Sequence, residues 1–121
     1  MNIIERRKYP RVKIHNLISY ICLDNNGRPI KNLMGTAIDI SQGGLLLETT
    51  QRIDPGDIIL ITADDQDQIM EINAKATYCR EMAGGKFNAG VSFKGAQCKN
   101  IEFVTCMVRR YHYCKASALS N

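Results

Sequence analysis

The sequence predicts an all-β domain with one helix, in which six antiparallel strands form a closed β-barrel and a C-terminal α-helix follows them. Three observations support this fold class. Turn signals recur along the chain, apolar and polar residues alternate in several segments between them, and the apolar spacing changes to three or four residues after Gly95. Closure into a barrel removes the exposed edges that an open sheet of this size would have. The turn signals are Asn25–Pro29, Gln42–Gly44, Asp54–Asp57, Asp64–Asp67 and Ala83–Gly85.

The first four strands occupy the first half of the chain. The segment Val12–Cys22 alternates apolar and polar residues with a break at Asn16, and a second strand lies between the first two turn signals. Two apolar blocks follow, Gly43–Thr50 and Gly56–Thr62, in place of alternation. Because continuous apolar runs are typical of strands with both faces covered, these blocks predict two covered strands.

The last two strands and the helix follow the fourth turn signal. Ile69–Cys79 has the clearest alternation, which predicts one buried and one wet face, and Phe87–Phe93 repeats it across the glycine turn. The helical stripe consists of Ile101, Val104, Val108 and Tyr111, widened by Phe103 and Met107. These elements divide the chain into a basic N-terminal tail at 1–12, a barrel at 13–95, and a helix with a tail at 96–121.

Composition and length exclude several classes of protein. With 121 residues, 45% hydrophobic and 23% charged, the chain has the composition of one globular domain. Its apolar runs fall far short of the roughly 20 residues that span a bilayer, and its N-terminus lacks the apolar core of a secretory signal. We therefore expect a cytoplasmic protein with no membrane span. Five cysteines without a CxxC pair favour reduced thiols over a disulfide framework or a zinc site.

The formal net charge of +4 is unevenly distributed. Residues 1–13 carry five basic side chains against Glu5, the segment from Lys99 onward is also basic, and the part between them is mildly acidic. A short basic segment on such a body suits a small anionic ligand or an acidic protein surface. A long nucleic acid usually meets a broad basic face, so the pattern disfavours nucleic acid as a partner.

Two polar segments carry the chemistry of a binding site, residues 6–11 and residues 39–44. Tyr9 precedes a proline, which favours extended backbone and places Arg7 and Arg11 about 12 Å apart at about 3.1 Å per residue. Guanidinium groups bind phosphate oxygens and the O6 and N7 atoms of guanine. In the second segment Asp39 can accept from the N1 and N2 donors of guanine, and Ser41 adds a hydroxyl. Gly43 and Gly44 permit a tight turn and a close approach to a ligand.

An RxxxR motif followed by a (D/N)xSxxG motif resembles the PilZ domain family. Arg7 and Arg11 match the first motif, and the second is matched by Asp39, Ser41 and Gly44. Gly90–Phe93 is similar to the GVxF strand of that family, and the resemblance extends from about Glu5 to Tyr111. It implies a six-stranded barrel with a terminal helix and a bacterial receptor for cyclic di-GMP.

The resemblance also implies roles for individual residues. The arginines of the first motif would hold phosphates and a guanine, and the second motif would hold a guanine on the barrel surface. Arg6, just before the first motif, is similar to an arginine in members that bind two stacked ligand molecules. Binding would order the basic tail, and we expect the ordered tail and the barrel surface to signal to a protein partner that the sequence does not identify.

Other interpretations remain beside this one. The tail can be a solvated arm, residues 39–44 can be a hairpin with an Asx or Ser turn, and Asp64, Asp65 and Asp67 are typical of a solvated turn because the spacing of a calcium loop is missing. Neither His15 nor His112 has a nucleophile or carboxylate at motif spacing, so we expect no enzyme, no metal and no cofactor.

Two alternative functions also remain. One is a ligand-free PilZ-like adaptor in motility, secretion or polysaccharide export. The other is a small barrel that binds single-stranded nucleic acid, which the absence of tryptophan and the aromatic content of 7% disfavour.

Overall fold

A computed structural model of the chain describes residues 11–64 and 66–119, with side chains described as far as Tyr113. A single turn of 3-10 helix, Ala83–Gly85, joins the last two strands. The elements in chain order are β1 (Val12–Leu23), β2 (Pro29–Ile40), β3 (Gly44–Thr49), β4 (Gly56–Ala63), β5 (Ile69–Met82), β6 (Lys86–Phe93) and α1 (Gln97–Leu119). The prediction of six strands followed by one helix is confirmed.

Each strand pairs with antiparallel neighbours on both sides, and the order β1-β2-β3-β6-β5-β4 closes a barrel. Alternation along the strands sends one row of side chains from each strand into the interior. Ile18 and Tyr20 of β1 are 1% exposed, and Leu60 of β4 is fully buried. Burial of each large apolar side chain stabilises the fold by about 1.5–3 kcal/mol, so this interior holds the barrel together.

The apolar blocks of β3 and β4 have one buried face and one partly covered face. The inward side chains Leu45, Leu47 and Ile58 are almost fully buried. The outward side chains of the same strands, which include Leu46 and Ile59, are half-buried. The prediction that both faces are covered therefore holds fully only for the inner face. The outer face is only partly covered because the wall of a small barrel is convex, so that outward side chains diverge from one another.

Helix α1 closes the barrel end at which β1 begins and β6 ends. Phe103 and Met107 of the helix are buried, and the Phe103 ring meets the Phe93 ring edge-on at 5.7 Å between centroids. Asn16, at the break in the β1 pattern, donates from Nδ2 to the Met107 carbonyl at 2.8 Å. The break thus marks the place where β1 bonds to the helix. Within 11–64 and 66–119, no helix is long and apolar enough to cross a bilayer.

Four cysteines have described environments, and none of these four forms a disulfide. Burial raises the pKa of the Cys22 thiol, and the nearby Asp54 carboxylate raises it further while Lys31 opposes this. A raised pKa keeps the thiol protonated at neutral pH and lowers its reactivity. The reduced state of the five cysteines stays a prediction.

Two hairpin loops, after β1 and after β4, share one hydrogen-bonding pattern. In the first, Asp24 Oδ1 accepts from the backbone N–H groups of Asn26 and Arg28 at 2.8 and 2.9 Å. In the second, Asp64 Oδ1 accepts from Gln66 and Gln68, both at 2.8 Å. The Asp64 carboxylate is thus engaged as a turn acceptor. Among the described residues, no group of three or more His, Cys, Asp and Glu side chains is placed to hold a metal ion.

A stabilising substitution is predicted at the residue that lies three positions after the accepting aspartate in each loop. This residue has a positive φ angle in both loops, 77° at Gly27 and 59° at Asp67. Because left-handed backbone costs an L residue more than the extra chain entropy of glycine, Asp67→Gly should stabilise the fold by about 0.5 kcal/mol. The measurement is the urea midpoint. Gly27→Asp is the matched reverse change and should lower that midpoint, and a lower midpoint in Asp67→Gly would contradict the argument.

Candidate functional site

Two bulges set the position of Asp39 at the end of β2. The β1–β2 register shifts between Lys13 and Asn16, and the β2–β3 register shifts between Ala37 and Asp39, which leaves Ile38 as an extra residue. After the shift Asp39 lies opposite Lys13 on one side. On the other side it lies opposite Leu46. Asp39 thereby joins the outer row of the barrel wall, where it is still only 6% exposed.

Arg11 supplies the charge that this buried carboxylate needs. Its Nη1 donates to Asp39 Oδ1 at 2.6 Å, across 28 positions of the chain. The Arg11 side chain remains 33% exposed and the Asp39 side chain 9%. A hydrogen bond between two charged groups is among the strong ones, and it offsets the cost of burying the carboxylate. The structure thus brings together one residue from each of the two predicted motifs.

The turn between β2 and β3 uses the Ser41 side chain. The Ser41 N–H donates to the Gly44 carbonyl at 2.8 Å, and the Gly43 N–H donates to Ser41 Oγ at 3.2 Å. The Gly43 carbonyl accepts from the Phe93 N–H of β6 at 2.9 Å. The hydroxyl proton of Ser41 has only a 3.5 Å contact with the Gly44 carbonyl. The Ser turn that was one interpretation of residues 39–44 is therefore present. Because the hydroxyl oxygen accepts in this turn, the hydroxyl proton of Ser41 is left to donate to another group.

Gly44 is required by the packing of β3 against β6. A Cβ atom at this position would lie 2.0 Å from the Val91 carbonyl oxygen. No side chain fits in such a space, because real Cβ contacts do not come this close. The close approach that Gly44 makes in the structure is thus to a neighbouring strand. Its approach to a ligand stays a prediction, as does that of Gly43.

Tyr78 extends the outer row that begins at Asp39. Strand registers place Leu46 opposite Asp39, Gly90 opposite Leu46, and Tyr78 opposite Gly90. A Cβ atom on Gly90 would lie 2.1 Å from Tyr78 Cε2, so the phenol ring lies directly against the Gly90 backbone. Tyr78 is 48% exposed. The row therefore combines an ion pair, an apolar floor at Leu46 and an exposed aromatic ring.

The alternation in Ile69–Cys79 predicts that Tyr78 shares the buried face of Ala74 and Ala76, and for Tyr78 this prediction is wrong. The β5–β6 register shifts between Ala76 and Tyr78, and Thr77 Oγ1 donates to the Gly90 carbonyl at 3.1 Å. The extra residue turns Tyr78 outward. A signal was present in the sequence, since glycine inside a strand often marks close packing by a neighbour.

Arg6 and Arg7 lie outside the described residues. Their predicted contacts with a ligand stay predictions. Of the predicted site residues, the structure describes Arg11, Asp39, Ser41, Gly43 and Gly44, and it places all five at one end of the β2–β3 hairpin.

The barrel with its terminal helix is similar to known structures. Three similar solved structures are the Bacillus subtilis inhibitor of motility (MotI/DgrA), the PilZ domain of YcgR from Escherichia coli with c-di-GMP, and the K. pneumonia MrkH–c-di-GMP complex. Their TM-scores are 0.65, 0.64 and 0.58, with identities of 16%, 12% and 16%. They cover 88%, 93% and 89% of this chain. At these identities the likeness establishes the fold.

The chain spans about half of two of these proteins, 52% of the motility inhibitor and 55% of MrkH, and 98% of the YcgR domain. Comparison with curated proteins gives no match. The PilZ domain family model matches residues 5–109, which is most of the chain and includes both motifs. The resemblance predicted from the motifs is confirmed, and the chain belongs to the PilZ domain family.

Proposed function

We propose that the protein is a bacterial receptor for cyclic di-GMP that acts by binding and signalling, without catalysis. The observation that carries the proposal is the 2.6 Å pair between Arg11 and Asp39, which joins the two motif segments beside the Ser41 turn. The similar structures of the YcgR PilZ domain and of MrkH are complexes with c-di-GMP, which supports the same ligand class here.

The chemistry of the pair suits a guanine nucleotide. A guanidinium has five N–H donors and a carboxylate has two acceptor oxygens, so neither group is exhausted by one hydrogen bond. Arg11 can donate to a phosphate or to guanine O6 and N7, while Asp39 accepts from guanine N1 and N2. Leu46 and the exposed Tyr78 ring offer apolar surface on which a base can lie. Ser41 adds one donor at the edge.

The test is calorimetry with cyclic di-GMP, GMP and a short oligonucleotide. We expect tight binding of cyclic di-GMP alone among the three, because only this ligand offers two guanines and two phosphates at the spacing of the site. Binding of the oligonucleotide alone would assign the protein to the nucleic-acid class. If none of the three ligands binds, the result would favour a ligand-free adaptor in motility, secretion or polysaccharide export.

Stoichiometry follows from the same titration. Arg6 and Arg7 would add two guanidinium groups to Arg11, enough charge for the phosphates of two stacked ligand molecules. We expect two ligands per chain in the wild type, and Arg6→Leu should lower the ratio toward one while binding persists. A ratio of one in the wild type would contradict the two-molecule proposal and leave the receptor proposal standing.

Signalling is proposed to work by ordering of the tail, in the cytoplasm and toward a protein partner. Ligand phosphates would neutralise the tail and tie it to the 39–44 segment, which makes the tail an element with two states. Hydrogen exchange should show ligand-dependent protection at 3–12 and 39–46, with little change at 69–79. Equal protection with and without ligand would contradict this step. A similar motility inhibitor supports motility as an output, with biofilm regulation as another.

A further inference from the structure

In the middle of the outer wall formed by β2, β1 and β4, the outward side chains of three adjacent strands carry no charge. We name this surface the β1–β2–β4 face. Cross-strand pairs place Ser19 opposite both Met34 and Ile61, and Ile21 opposite both Asn32 and Ile59. The face consists of Leu17, Ser19, Ile21, Asn32, Met34, Thr36, Ile59 and Ile61.

Large apolar side chains on this face are open to solvent. Leu17 is 67% exposed and Met34 is 52% exposed. Leu17 lies opposite Thr36, two residues from Met34, so the two side chains are diagonal neighbours. Ser19 Oγ contacts Met34 Sδ at 2.9 Å, which holds the methionine over the middle of the face. A continuous exposed apolar patch on a soluble domain marks an interaction surface.

A cleft with two basic side chains and no carboxylate in its lining lies at one end of the face. A cleft of about 240 Å³ beside Leu17 is lined by His15, Arg110, Asn16, Thr62 and Tyr111. Arg110 Nη1 donates to the Asp64 carbonyl at 3.1 Å, which fixes the guanidinium there and leaves it further donors. Strand β1 contains no acidic residue. The one acidic residue of β2, Asp39, is paired with Arg11, and the one acidic residue of β4, Asp57, is paired with Lys94.

We infer that the β1–β2–β4 face is the docking surface for a protein segment that presents apolar side chains next to carboxylates. The apolar side chains would cover Leu17 and Met34, and a carboxylate would enter the cleft between His15 and Arg110. The same face of a second copy has no carboxylate to offer, and each copy carries a net charge of +4. Charge complementarity therefore favours an acidic partner over self-association.

The face shares its strands with the proposed ligand site. Arg11 directly precedes β1 and Asp39 lies at the end of β2, so a ligand and a partner would contact the same hairpin. The inference extends the adaptor part of the proposed function, and it names the chemistry of the partner. Docking itself can be measured without the dinucleotide.

The experiment titrates the isotope-labelled full chain with ten-residue peptides and follows backbone amides by NMR. The probe is a peptide of alternating leucine and glutamate, compared with leucine–lysine and serine–glutamate peptides of the same length. We expect shifts confined to residues 15–21, 32–36 and 59–62 with the first peptide only. Leu17→Lys and Met34→Lys should each weaken this binding by at least about tenfold. Met82→Lys is the matched control, because Met82 is 42% exposed and pairs with Lys86 on the opposite wall.

Several results would overturn the inference. They are no binding of the leucine–glutamate peptide, equal binding of the lysine peptide, shifts centred elsewhere, or equal losses in Met82→Lys. Sedimentation provides a further test, since a wild-type dimer that Met34→Lys dissociates would assign the face to a second copy. Thermal melting shows whether each variant is folded. If Leu17→Lys does not fold, Met34→Lys provides the test of the face. Calorimetry with cyclic di-GMP on the same samples tests the receptor proposal separately, since Met34→Lys should leave ligand affinity unchanged.

Discussion

Arg11→Ala is expected to weaken cyclic di-GMP binding by at least about tenfold, because a hydrogen bond to a charged group is worth about 1.5–3 kcal/mol. The substitution removes a guanidinium that is 33% exposed and therefore available to a ligand. It also leaves the Asp39 carboxylate, 9% exposed, without its partner at 2.6 Å. Binding is measured by calorimetry, and stability is measured by thermal melting.

Two further variants separate binding from folding in this experiment. Arg11→Ala combined with Asp39→Asn removes the unpaired buried charge, so it should regain stability over Arg11→Ala while binding stays weak. Arg28→Ala is the matched control, because Arg28 is an exposed arginine in the loop after β1 and should change neither property. Wild-type affinity in Arg11→Ala would remove this residue from the site.

Gly44→Ala should cause the largest loss of stability of any single change discussed, about 3 kcal/mol or more. Its added methyl group would meet the Val91 carbonyl oxygen at 2.0 Å, and that atom belongs to a strand backbone in the barrel wall. Relief of the clash would require β3 and β6 to separate where they begin to pair. Urea unfolding followed by circular dichroism gives the free energy change.

Gly90→Ala is the matched comparison for this prediction. Its methyl group would meet Tyr78 ring atoms at 2.1–2.7 Å, but a partly exposed ring can swing away. We therefore expect a smaller loss of stability together with weaker ligand binding, since the ring leaves its place beside Leu46. Equal losses of stability in the two variants would contradict the distinction between backbone and side-chain clashes.

Periodicity and turn chemistry were sufficient to predict the barrel and the helix. The alternation in Ile69–Cys79 and the change of spacing at Ile101 are local properties, and each reports directly on which side chains are buried. The strand nevertheless extends to Met82, because β5 continues to pair with Lys86 across the glycine turn. Such an extension depends on a partner strand, which a single segment does not specify.

Bulges explain what the sequence did not predict in the site. The extra residues Ile38 and Thr77 shift the registers of β2 and β5. As a result, Asp39 and Tyr78 both lie in the same outer row of side chains, one at each end. Alternation assumes an unbroken ladder, and one inserted residue reverses the faces of every residue after it. The motif chemistry of Arg11 and Asp39 was visible from the sequence, but the aromatic end of the row depends on register.

In the proposed site, the ion pair favours a ligand that bonds to both of its members at once. Inorganic phosphate can accept from the remaining donors of Arg11, but it offers no N–H group to Asp39 and its charge is repelled by that carboxylate. A neutral donor can bond to Asp39, but it leaves the remaining donors of Arg11 without an anion. Only a molecule that brings an anion and a pair of N–H donors together uses both groups. We therefore expect the pair to select against partial ligands such as free phosphate.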